Sequence, residues 1–369
     1  MSDERRIRVG VLMGGASAER EISLASGQMI AEHLPRDRYD VVMLDTLALM
    51  AHHPGLTPAL RQRAQALIGH HSDARGELQA HGHELPAAFQ DRIREAASAV
   101  VPATEALAAT GGKARIDVAF IALHGRYGED GTIQGMLDLF GIPYVGSGTL
   151  ASALAMDKAM AKKLFGASGI PTPSGLTLER ADFASAPDAC SARAAAFVPA
   201  VVKPAREGSS IGMSLVNDAA AMPAALRAAF AHDARVLVEE RVAGTELTVG
   251  VIGNRELLAL PVIEIVSRRA FFDYRAKYDP ALSEEICPAR ITDDVAREAQ
   301  ELARRAHRAL DCRGLSRTDM ILSERGLVVL ELNTLPGMTV NSLLPKAART
   351  AGIPFGELLH RLIRLALEE

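Results

Sequence analysis

The sequence predicts an α/β fold whose first part is a parallel sheet flanked by helices. Three apolar runs rich in β-branched residues, IRVGVLMGG, YDVVMLDT and IDVAFIALHG, begin at residues 7, 39 and 116. Such runs are typical of buried strands. Between the first two, the segment ASAEREISLASGQMIAEHL places Ile22, Ala25, Met29 and Ile30 on one side of a helix. Strands that alternate with helices favour a parallel sheet, with functional groups at the carboxyl ends of its strands.

Length and composition indicate a globular protein with more than one domain. The chain has 369 residues, which suggests two or three domains at a prior of roughly 150 residues each. Hydrophobic residues make up 48% of the chain, and 41 basic against 45 acidic side chains give a net charge of -4. Nucleic-acid-binding proteins normally show a basic excess, so the charge argues against that class of partner.

The sequence shows no sign of membrane insertion or secretion. No apolar run approaches the roughly 18 residues of a membrane span, and the polar start MSDERRIR does not resemble a signal peptide. The cysteines Cys190, Cys287 and Cys312 form neither a CxxC pair nor an even set. We therefore expect a cytoplasmic protein with reduced thiols and no membrane partner.

Residues 48–113 interrupt the alternation of strands and helices and read as an insertion in the first domain. Six of the eleven histidines lie between His52 and His83. A metal site is one interpretation, but no cysteines or firm ligand spacing accompany these histidines. We favour a solvated, variable loop.

Two further units follow the first sheet. The second unit begins near Gly146. Its segment 156–173 predicts a helix that Gly169 closes before Pro171 and Pro173, and strands follow at 199–205 and 234–242. The third unit begins with paired strands in ELTVGVIG and ELLALPVIEIV and continues with an amphipathic helix at 293–311. A strand, a turn and a strand at 317–333 follow, and HRLIRLALEE forms a final helix. This second half predicts α+β character.

The predicted hairpin at 317–333 brings together side chains suited to a metal. If its strands are antiparallel neighbours, Asp319 lies beside Glu331 and Asn333, which share a face because they are two residues apart. Two carboxylates and a carboxamide are hard oxygen ligands that suit Mg²⁺, with phosphates completing its coordination. Arg317 faces the same side and adds a fixed charge. A surface hairpin with scattered acids is the alternative, which Asn333 in an otherwise apolar strand disfavours.

The segment VVKPAREGSSIGMS is a second candidate site, for phosphate. A buried strand ends at Lys203, and a loop of small residues follows with Gly208, Ser209 and Ser210. Backbone N–H groups of such a loop can approach a phosphate, to which the lysine adds charge. It is not a P-loop because the lysine precedes the glycines, and a flexible turn explains it almost as well. Lys158, at a helix start, is either a second cation or a solvated lysine.

Two strand-end loops carry further candidates. In GGASAERE, which lacks the dinucleotide fingerprint, Glu19 either complements the helix dipole or binds a substrate ammonium. HGRYGEDGT carries His124 and Glu129 at the end of another strand. Binding groups concentrate in such loops, although turn formation alone would also select Gly and Asp.

Two segments of the third unit complete the candidate set. FFDYRAKYD, at 271–279, predicts a mobile lid or a surface loop anchored by its phenylalanines. In LPGMTVNSLLPKAA, Asn341 or Ser342 can cap the helix that follows a Pro-Gly turn. The N-terminus of that helix can also bind a carboxylate or phosphate.

In this order, the motifs resemble the D-alanine–D-alanine ligase family of ATP-grasp enzymes. The resemblance spans nearly the whole chain, from the first strand to NSLLPK, and includes MDK, VEERVAGTELTV, RTDM and ELNTLPGMT. It implies a three-domain ATP-grasp architecture with ATP between the last two domains. The implied domains are an N-terminal α/β substrate domain at 1–146, a central ATP-grasp domain at 147–242 and a C-terminal catalytic domain at 243–369.

The resemblance also implies a reaction and its cofactors. Mg-ATP phosphorylates the carboxylate of one D-alanine, and the amine of a second D-alanine attacks the acyl phosphate. The products are ADP and a dipeptide for peptidoglycan. Two Mg²⁺ ions, or Mn²⁺, act with ATP as cosubstrate, and the enzyme is a homodimer.

By similarity, several residues bind the two substrate molecules. Glu19 holds the first D-alanine's ammonium in a triad with Ser209 and Tyr278. His124 helps to hold the same molecule and is oriented by Glu129.

The nucleotide set combines phosphate cations, the Ser/Gly loop, an adenine-side carboxylate and a ribose carboxylate. In chain order it is Lys158, Lys203, Gly208, Ser209, Ser210, Glu239, Glu246 and Lys277.

The third unit supplies the remaining implied roles. Arg317 and the Gly337 amide stabilise the tetrahedral oxyanion, and Ser342 and Leu343 receive the second carboxylate. The oxygen ligands of the hairpin match the family's two-magnesium site.

Alternatives within and outside this family stay open at this point. A D-lactate or D-serine acceptor would use the same ATP residues, although Tyr278 in the lid favours D-alanine. A nucleotide sensor without catalysis would have lost a metal ligand or Arg317, and the sequence keeps them. Glu240-Arg241 departs from the usual lysine–aromatic pair at the hinge. Thr318 lies between Arg317 and Asp319, where a branched apolar residue is usual, and we expect its side chain to point away from the site.

Overall fold

The structure is a computed structural model. It describes residues 5–17, 19–50, 56–68, 101–102, 115–208, 210–267 and 283–368. The predictions for Ser209, for the 271–279 segment with Lys277 and Tyr278, and for most of the 48–113 insertion lie outside these ranges.

The first unit is a parallel sheet flanked by helices, which confirms the prediction. Among the described residues its order is β3-β2-β1-β4-β5, and each neighbouring pair is parallel. Strand β4 is shorter than predicted because the chain leaves the sheet after Ile121 and turns at Gly125, which has a φ of 66°. The strands are β1 Ile7–Met13, β2 Tyr39–Asp45, β3 Val101–Pro102, β4 Val118–Ile121 and β5 Tyr144–Val145. The helices are α1 Arg20–His33, α2 Pro58–Ile68 and α3 Thr132–Phe140.

The second unit is an antiparallel sheet with the order β6-β9-β7-β8. Alternation along β7 buries Val202 against Val238 of β9 and turns Lys203 to the opposite face. The strands are β6 Gly175–Glu179, β7 Ala200–Pro204, β8 Ser214–Val216 and β9 Arg235–Glu240. The helices are α6 Arg180–Ser185, α7 Pro187–Ala195 and α8 Met222–Phe230, and α4 Thr149–Met156 and α5 Lys158–Ala167 precede this sheet in the chain.

The third unit is a larger antiparallel sheet with the order β13-β12-β10-β14-β15, and β11 pairs with β10. It contains the predicted hairpin and the predicted pairing of the two preceding strands. The strands are β10 Thr245–Gly253, β11 Leu258–Ala259, β12 Ile263–Ser267, β13 Ser283–Ile286, β14 Gly314–Ser323 and β15 Gly326–Asn333. The helices are α9 Asp293–Ala309, α10 Leu343–Thr350 and α11 Phe355–Ala366.

Helices on both faces connect the large sheet to the other units. Val249 of β10 lies in a core with α4, α5 and α9, where Phe165 is fully buried. Ile252, on the opposite face of β10, lies in a core that α10 and α11 share with the first sheet. Gly146, directly after β5, lies against Gly314 at the start of β14. The carboxyl end of the parallel sheet therefore meets the hairpin.

None of the helices in the described part of the chain combines the length and apolar character that a membrane span requires.

Helix α9 buries His307 behind the hairpin. Its Nδ1 lies 2.7 Å from Oγ of Ser316 on β14, while Nε2 has no hydrogen-bond partner among the described residues. Burial, with a smaller contribution from Arg308, lowers the pKa of His307 to about 4. The unfolded chain therefore takes up a proton more readily than the folded one below the ordinary histidine pKa of about 6.5.

This depressed pKa predicts a loss of stability in acid. The contribution of His307 is fully present above pH 6.5 and is lost as the pH falls towards 4, by about 2 kcal/mol between pH 7 and pH 5. His307→Asn should remove that part of the pH dependence of the free energy of unfolding. Urea titrations followed by circular dichroism at both pH values measure it. The exposed His232→Asn is the control, and an unchanged acid loss in His307→Asn would contradict the prediction.

Candidate active site

The hairpin of β14 and β15 places the predicted oxygen ligands on one face. Asp319 pairs directly opposite Glu331, and Arg317 opposite Asn333. Arg317 donates from Nε and Nη2 to the two carboxylate oxygens of Asp319 at 2.9 and 2.8 Å. Thr248 of β10 donates to the same carboxylate at 2.6 Å. The structure thus brings the four side chains together and fixes Asp319 from two strands.

Arg317 is buried and stays charged. Burial alone would lower its pKa, but the ion pair with Asp319 and the nearby charge of Glu331 outweigh this effect and raise the pKa. Its neighbour Thr318 is fully buried and points away from the cleft, as alternation requires, with no hydrogen-bond partner for Oγ1 in the described chain. The hairpin therefore presents a permanent positive charge next to two carboxylates.

Lys158 connects the hairpin to the Ser/Gly loop. It is the first residue of α5, whose N-cap Asp157 accepts a hydrogen bond from Met160 N at 3.1 Å. Nζ of Lys158 donates to the carbonyl of Glu207 at 2.8 Å and lies 3.4 Å from Oε2 of Glu331. Two elements distant in sequence meet at this ammonium.

Lys203 and Glu239 meet a third charged residue that sequence reasoning missed. Nζ of Lys203 lies 2.9 Å from Oε2 of Glu239, and Nζ of Lys162 contacts Oε1. Burial lowers the pKa of Lys162 to about 8. Burial also opposes ionisation of the other two, but their mutual attraction outweighs it, so the pKa of Lys203 is raised and that of Glu239 lowered. The carboxylate expected beside adenine thus lies between two lysines.

The Ser/Gly loop takes conformations that favour small residues. Ser210 and Gly212 have φ values of 60° and 70°, and Gly208 lines the cleft. A Cβ at Gly208 would lie 3.8 Å from Oε2 of Glu19. The loop therefore reaches the carboxyl end of the parallel sheet.

Glu19, His124 and Glu129 form the opposite wall. Glu19 is the N-cap of α1, and Oε2 of Glu19 would lie only 2.7 Å from a Cβ on Gly125. His124 Nε2 lies 3.3 Å from Oγ of Ser26. Glu129 accepts a hydrogen bond from Gly125 N at 2.6 Å. A glycine at 125 thus lets Glu19 approach the loop that bears the other two side chains.

A buried ion pair supports the loop before Glu19. Arg20 donates to the carbonyl of Gly15 at 2.8 Å and to Oδ1 of Asp45 at 3.0 Å. Asp45, at the end of β2, also accepts from Gly15 N and from Leu47 N. These bonds fix the chain that leads into Glu19.

The third unit supplies the last candidates. Gly337 lines the cleft, and Ser342 is the N-cap of α10, which begins at Leu343. Asn341 or Ser342 was the predicted cap, and Ser342 lies at the N-cap position, but its side chain makes no hydrogen bond to the first turn of the helix. Its Oγ instead accepts a hydrogen bond from Thr339 N at 3.1 Å and lies 2.8 Å from Thr339 Oγ1. Glu246 lies on β10, opposite Ile265 and Ile321.

All three units border one open cleft. Asp319, Glu331 and Asn333 of the hairpin fit Mg²⁺ because each offers a hard oxygen. Within the described ranges, no group of three or more His, Cys, Asp or Glu side chains is placed to hold a metal ion. Among the predicted residues, the lining includes Glu19, His124, Glu129, Lys158, Gly208, Arg317, Glu331, Asn333 and Gly337.

Comparison with known proteins identifies the family. Models described as the N-terminus and C-terminus of D-ala D-ala ligase match residues 8–147 and 164–364. The chain belongs to the D-alanine–D-alanine ligase family. A D-alanine–D-alanine ligase of Syntrophobacter fumaroxidans is 44% identical, with 100% of both chains covered. One from Pelotomaculum thermopropionicum is 41% identical, over 98% of this chain and 97% of the relative.

Solved structures of the family share the fold. The VanG D-Ala:D-Ser ligase from Enterococcus faecalis matches with a TM-score of 0.76 and 32% identity, over 98% of this chain and 100% of that chain. A Bacillus anthracis D-alanine–D-alanine ligase complexed with ATP matches with a TM-score of 0.69 and 30% identity, over 99% and 98%. The ATP-grasp architecture of this ligase family is therefore confirmed.

The Arg20–Asp45 pair yields a stability prediction. Asp45→Ala should lower the free energy of unfolding by about 3–5 kcal/mol because it leaves the Arg20 guanidinium buried without its carboxylate. Urea unfolding followed by circular dichroism measures the change. Asp37→Ala, which removes an exposed partner of Arg38, should change it by less than about 1 kcal/mol. Equal effects of the two substitutions would contradict the assignment.

Proposed function

We propose that this ligase joins two D-alanine molecules to D-alanyl-D-alanine, with conversion of ATP to ADP, for peptidoglycan precursor synthesis. The family assignment over the full chain supports this reaction. The observation that carries it is the hairpin, where Arg317, Asp319 and Glu331 converge beside Lys158. A carboxylate and ATP repel each other, so attack requires such a concentration of positive charge and metal ligands.

In this proposal, cations and a loop hold the triphosphate. Lys158, Lys203 and Lys277 bind phosphate oxygens, while Glu239 lies towards adenine and Glu246 binds the ribose hydroxyls. The loop containing Gly208, Ser209 and Ser210 folds over the phosphates. Exclusion of water matters here because an acyl phosphate hydrolyses readily.

The first D-alanine lies against the parallel sheet. Glu19 binds its ammonium, in a triad with Ser209 and Tyr278. His124, oriented by Glu129, helps to hold the same molecule. The position of Glu19 next to Gly125 supports this role because it directs the carboxylate into the cleft.

The hairpin and α10 serve the second step. Asp319, Glu331 and Asn333 would hold two Mg²⁺ ions, or Mn²⁺, which when bound neutralise phosphate oxygens. The tetrahedral oxyanion that forms on amine attack is stabilised by Arg317 and the Gly337 amide. Ser342 and Leu343 receive the second carboxylate, since α10 begins without a side-chain cap.

A D-serine or D-lactate acceptor is the second candidate. The structural match to a D-Ala:D-Ser ligase supports D-serine as an alternative acceptor. The Mg-ATP residues serve the first half-reaction and cannot separate these acceptors, whereas Tyr278 in the lid favours D-alanine. A catalytically silent sensor lacks support because Arg317, Asp319 and Glu331 are all in place.

We further propose that the protein is a cytoplasmic homodimer. Each chain would consist of three domains, at 1–146, 147–242 and 243–369. Exposed apolar side chains on α3 and α4, Leu139 and Leu150, support a surface between two copies. Light scattering would test it: Leu139→Glu with Leu150→Glu should give monomers, and an unchanged dimer would exclude this surface.

Product analysis tests the reaction. ADP release is measured from Mg-ATP with D-alanine, with L-alanine, and with D-alanine plus D-lactate or D-serine, and the products are identified by mass. D-alanyl-D-alanine formed with D-alanine alone supports the proposal. A depsipeptide or D-alanyl-D-serine as main product would replace the acceptor, and no ADP release with any mixture would contradict ligation.

Glu331→Gln tests the role of the hairpin in turnover. We expect turnover to fall roughly a hundredfold or more, because a charged metal ligand is replaced by a neutral and weaker one. The thermal melting temperature should stay close to that of the wild type, since Glu331 is partly exposed. The exposed Glu324→Gln in the same hairpin is the control. Near-normal turnover in Glu331→Gln would show that the metal site lies elsewhere.

A further inference from the structure

Lys162 is a buried cation without a role in the proposed reaction. It lies on α5 four residues after Lys158, so the two lysines share one face of the helix. Its side chain is 11% exposed and forms an ion pair with Glu239, whereas the adjacent Lys163 is exposed. Lysines are rarely buried unless they are paired, because removing the charge from water is costly.

The carboxylate of Glu239 is shared between two lysines. Val201 pairs opposite Glu239 across β7 and β9, so Lys203, two residues further on, lies diagonally on the same face. Lys203 approaches one carboxylate oxygen at 2.9 Å, and Lys162 contacts the other from α5. Two ammonium groups and one carboxylate leave this buried cluster with a net positive charge.

The second lysine changes what Lys203 can do. With one ammonium only, Glu239 and Lys203 would form a neutral pair in surroundings that strengthen electrostatic attraction. Because Lys162 already balances the carboxylate, Lys203 carries a positive charge that can attract an anion. We propose that Lys162 is a positioning residue of the nucleotide site, which neutralises Glu239 and so leaves the charge of Lys203 available to the ATP phosphates.

The contacts of Lys162 differ from those of Lys158. Lys158 lines the cleft and contacts Glu207 and Glu331, whereas Lys162 and Lys203 are both absent from the described residues that line the cleft and meet at the carboxylate of Glu239. In this proposal Lys162 acts through Glu239. The inference rests on the proposed function, because it takes Lys203 as a phosphate ligand.

Lys162→Met removes the charge and keeps the length of the side chain. We expect the Kd for Mg-ADP, measured by calorimetry, and the KM for ATP to rise roughly ten- to a hundredfold. The kcat and the KM for D-alanine should change less than about threefold, because the substitution leaves the hairpin and the wall formed by Glu19, His124 and Glu129 unchanged. Lys162→Arg should restore most of the affinity. Lys163→Met, on the exposed side of the helix, should behave as wild type.

A second substitution separates positioning from direct contact. In a Glu239→Gln background no carboxylate remains to be neutralised, so adding Lys162→Met should change the Kd for Mg-ADP less than about threefold. An equally large loss in both backgrounds would mean that Lys162 touches the nucleotide itself, which would overturn the proposal.

The melting temperature of each variant is measured together with its Kd for Mg-ADP, so that loss of folding is recognised. If Lys162→Met does not fold, Lys162→Gln takes its place. An unchanged Kd for Mg-ADP in a folded variant, or equal changes in kcat and both KM values, would overturn the proposal. Wild-type protein that binds Mg-ADP but forms no dipeptide would contradict the proposed reaction, and the calorimetric series would still decide the role of Lys162.

Discussion

The antiparallel pairing of β14 with its neighbours is the constraint on which the rest of the cleft depends. It sets Asp319 opposite Glu331 and within reach of Arg317, so the sheet register fixes the spacing of the charges. Strands hold side chains more rigidly than loops, which suits a site that must stabilise charge as it develops. Gly208 and Glu19, from loops of the other two units, line the same cleft as the hairpin.

Excess positive charge is kept in the cleft by partial neutralisation. Arg317 is held by Asp319, Lys158 lies near Glu331, and Lys203 shares Glu239 with Lys162. Each cation is tied to a carboxylate, which reduces the cost of burial. In the proposed reaction, the phosphates of a nucleotide would attract Lys158 and Lys203, while Lys162 stays paired with Glu239.

Local sequence patterns predicted the strands and the face of the hairpin, but not the ion pairs that connect distant elements. Apolar runs revealed the parallel sheet, and two-residue spacing placed Glu331 and Asn333 on one face, because both signals reside in short segments. The role of Lys162 was not predicted, because helical spacing shows only that it shares a face with Lys158. Its partner, Glu239, lies on a strand that is distant in sequence. The Arg20–Asp45 ion pair was not predicted for the same reason, because its two residues lie on different elements. Ser342 lies at a predicted N-cap position, but its hydroxyl bonds to Thr339, three residues earlier, and not to the first turn of the helix.

The central claim is that the cleft joins substrate carboxylate to phosphate before the amine attacks. D-alanine labelled with ¹⁸O in its carboxylate tests this most directly, with the inorganic phosphate examined by mass spectrometry after turnover with Mg-ATP. An acyl phosphate intermediate requires that one labelled oxygen appear in the phosphate that is released. Unlabelled phosphate alongside dipeptide would show that the carboxylate is activated in another way and would contradict the account.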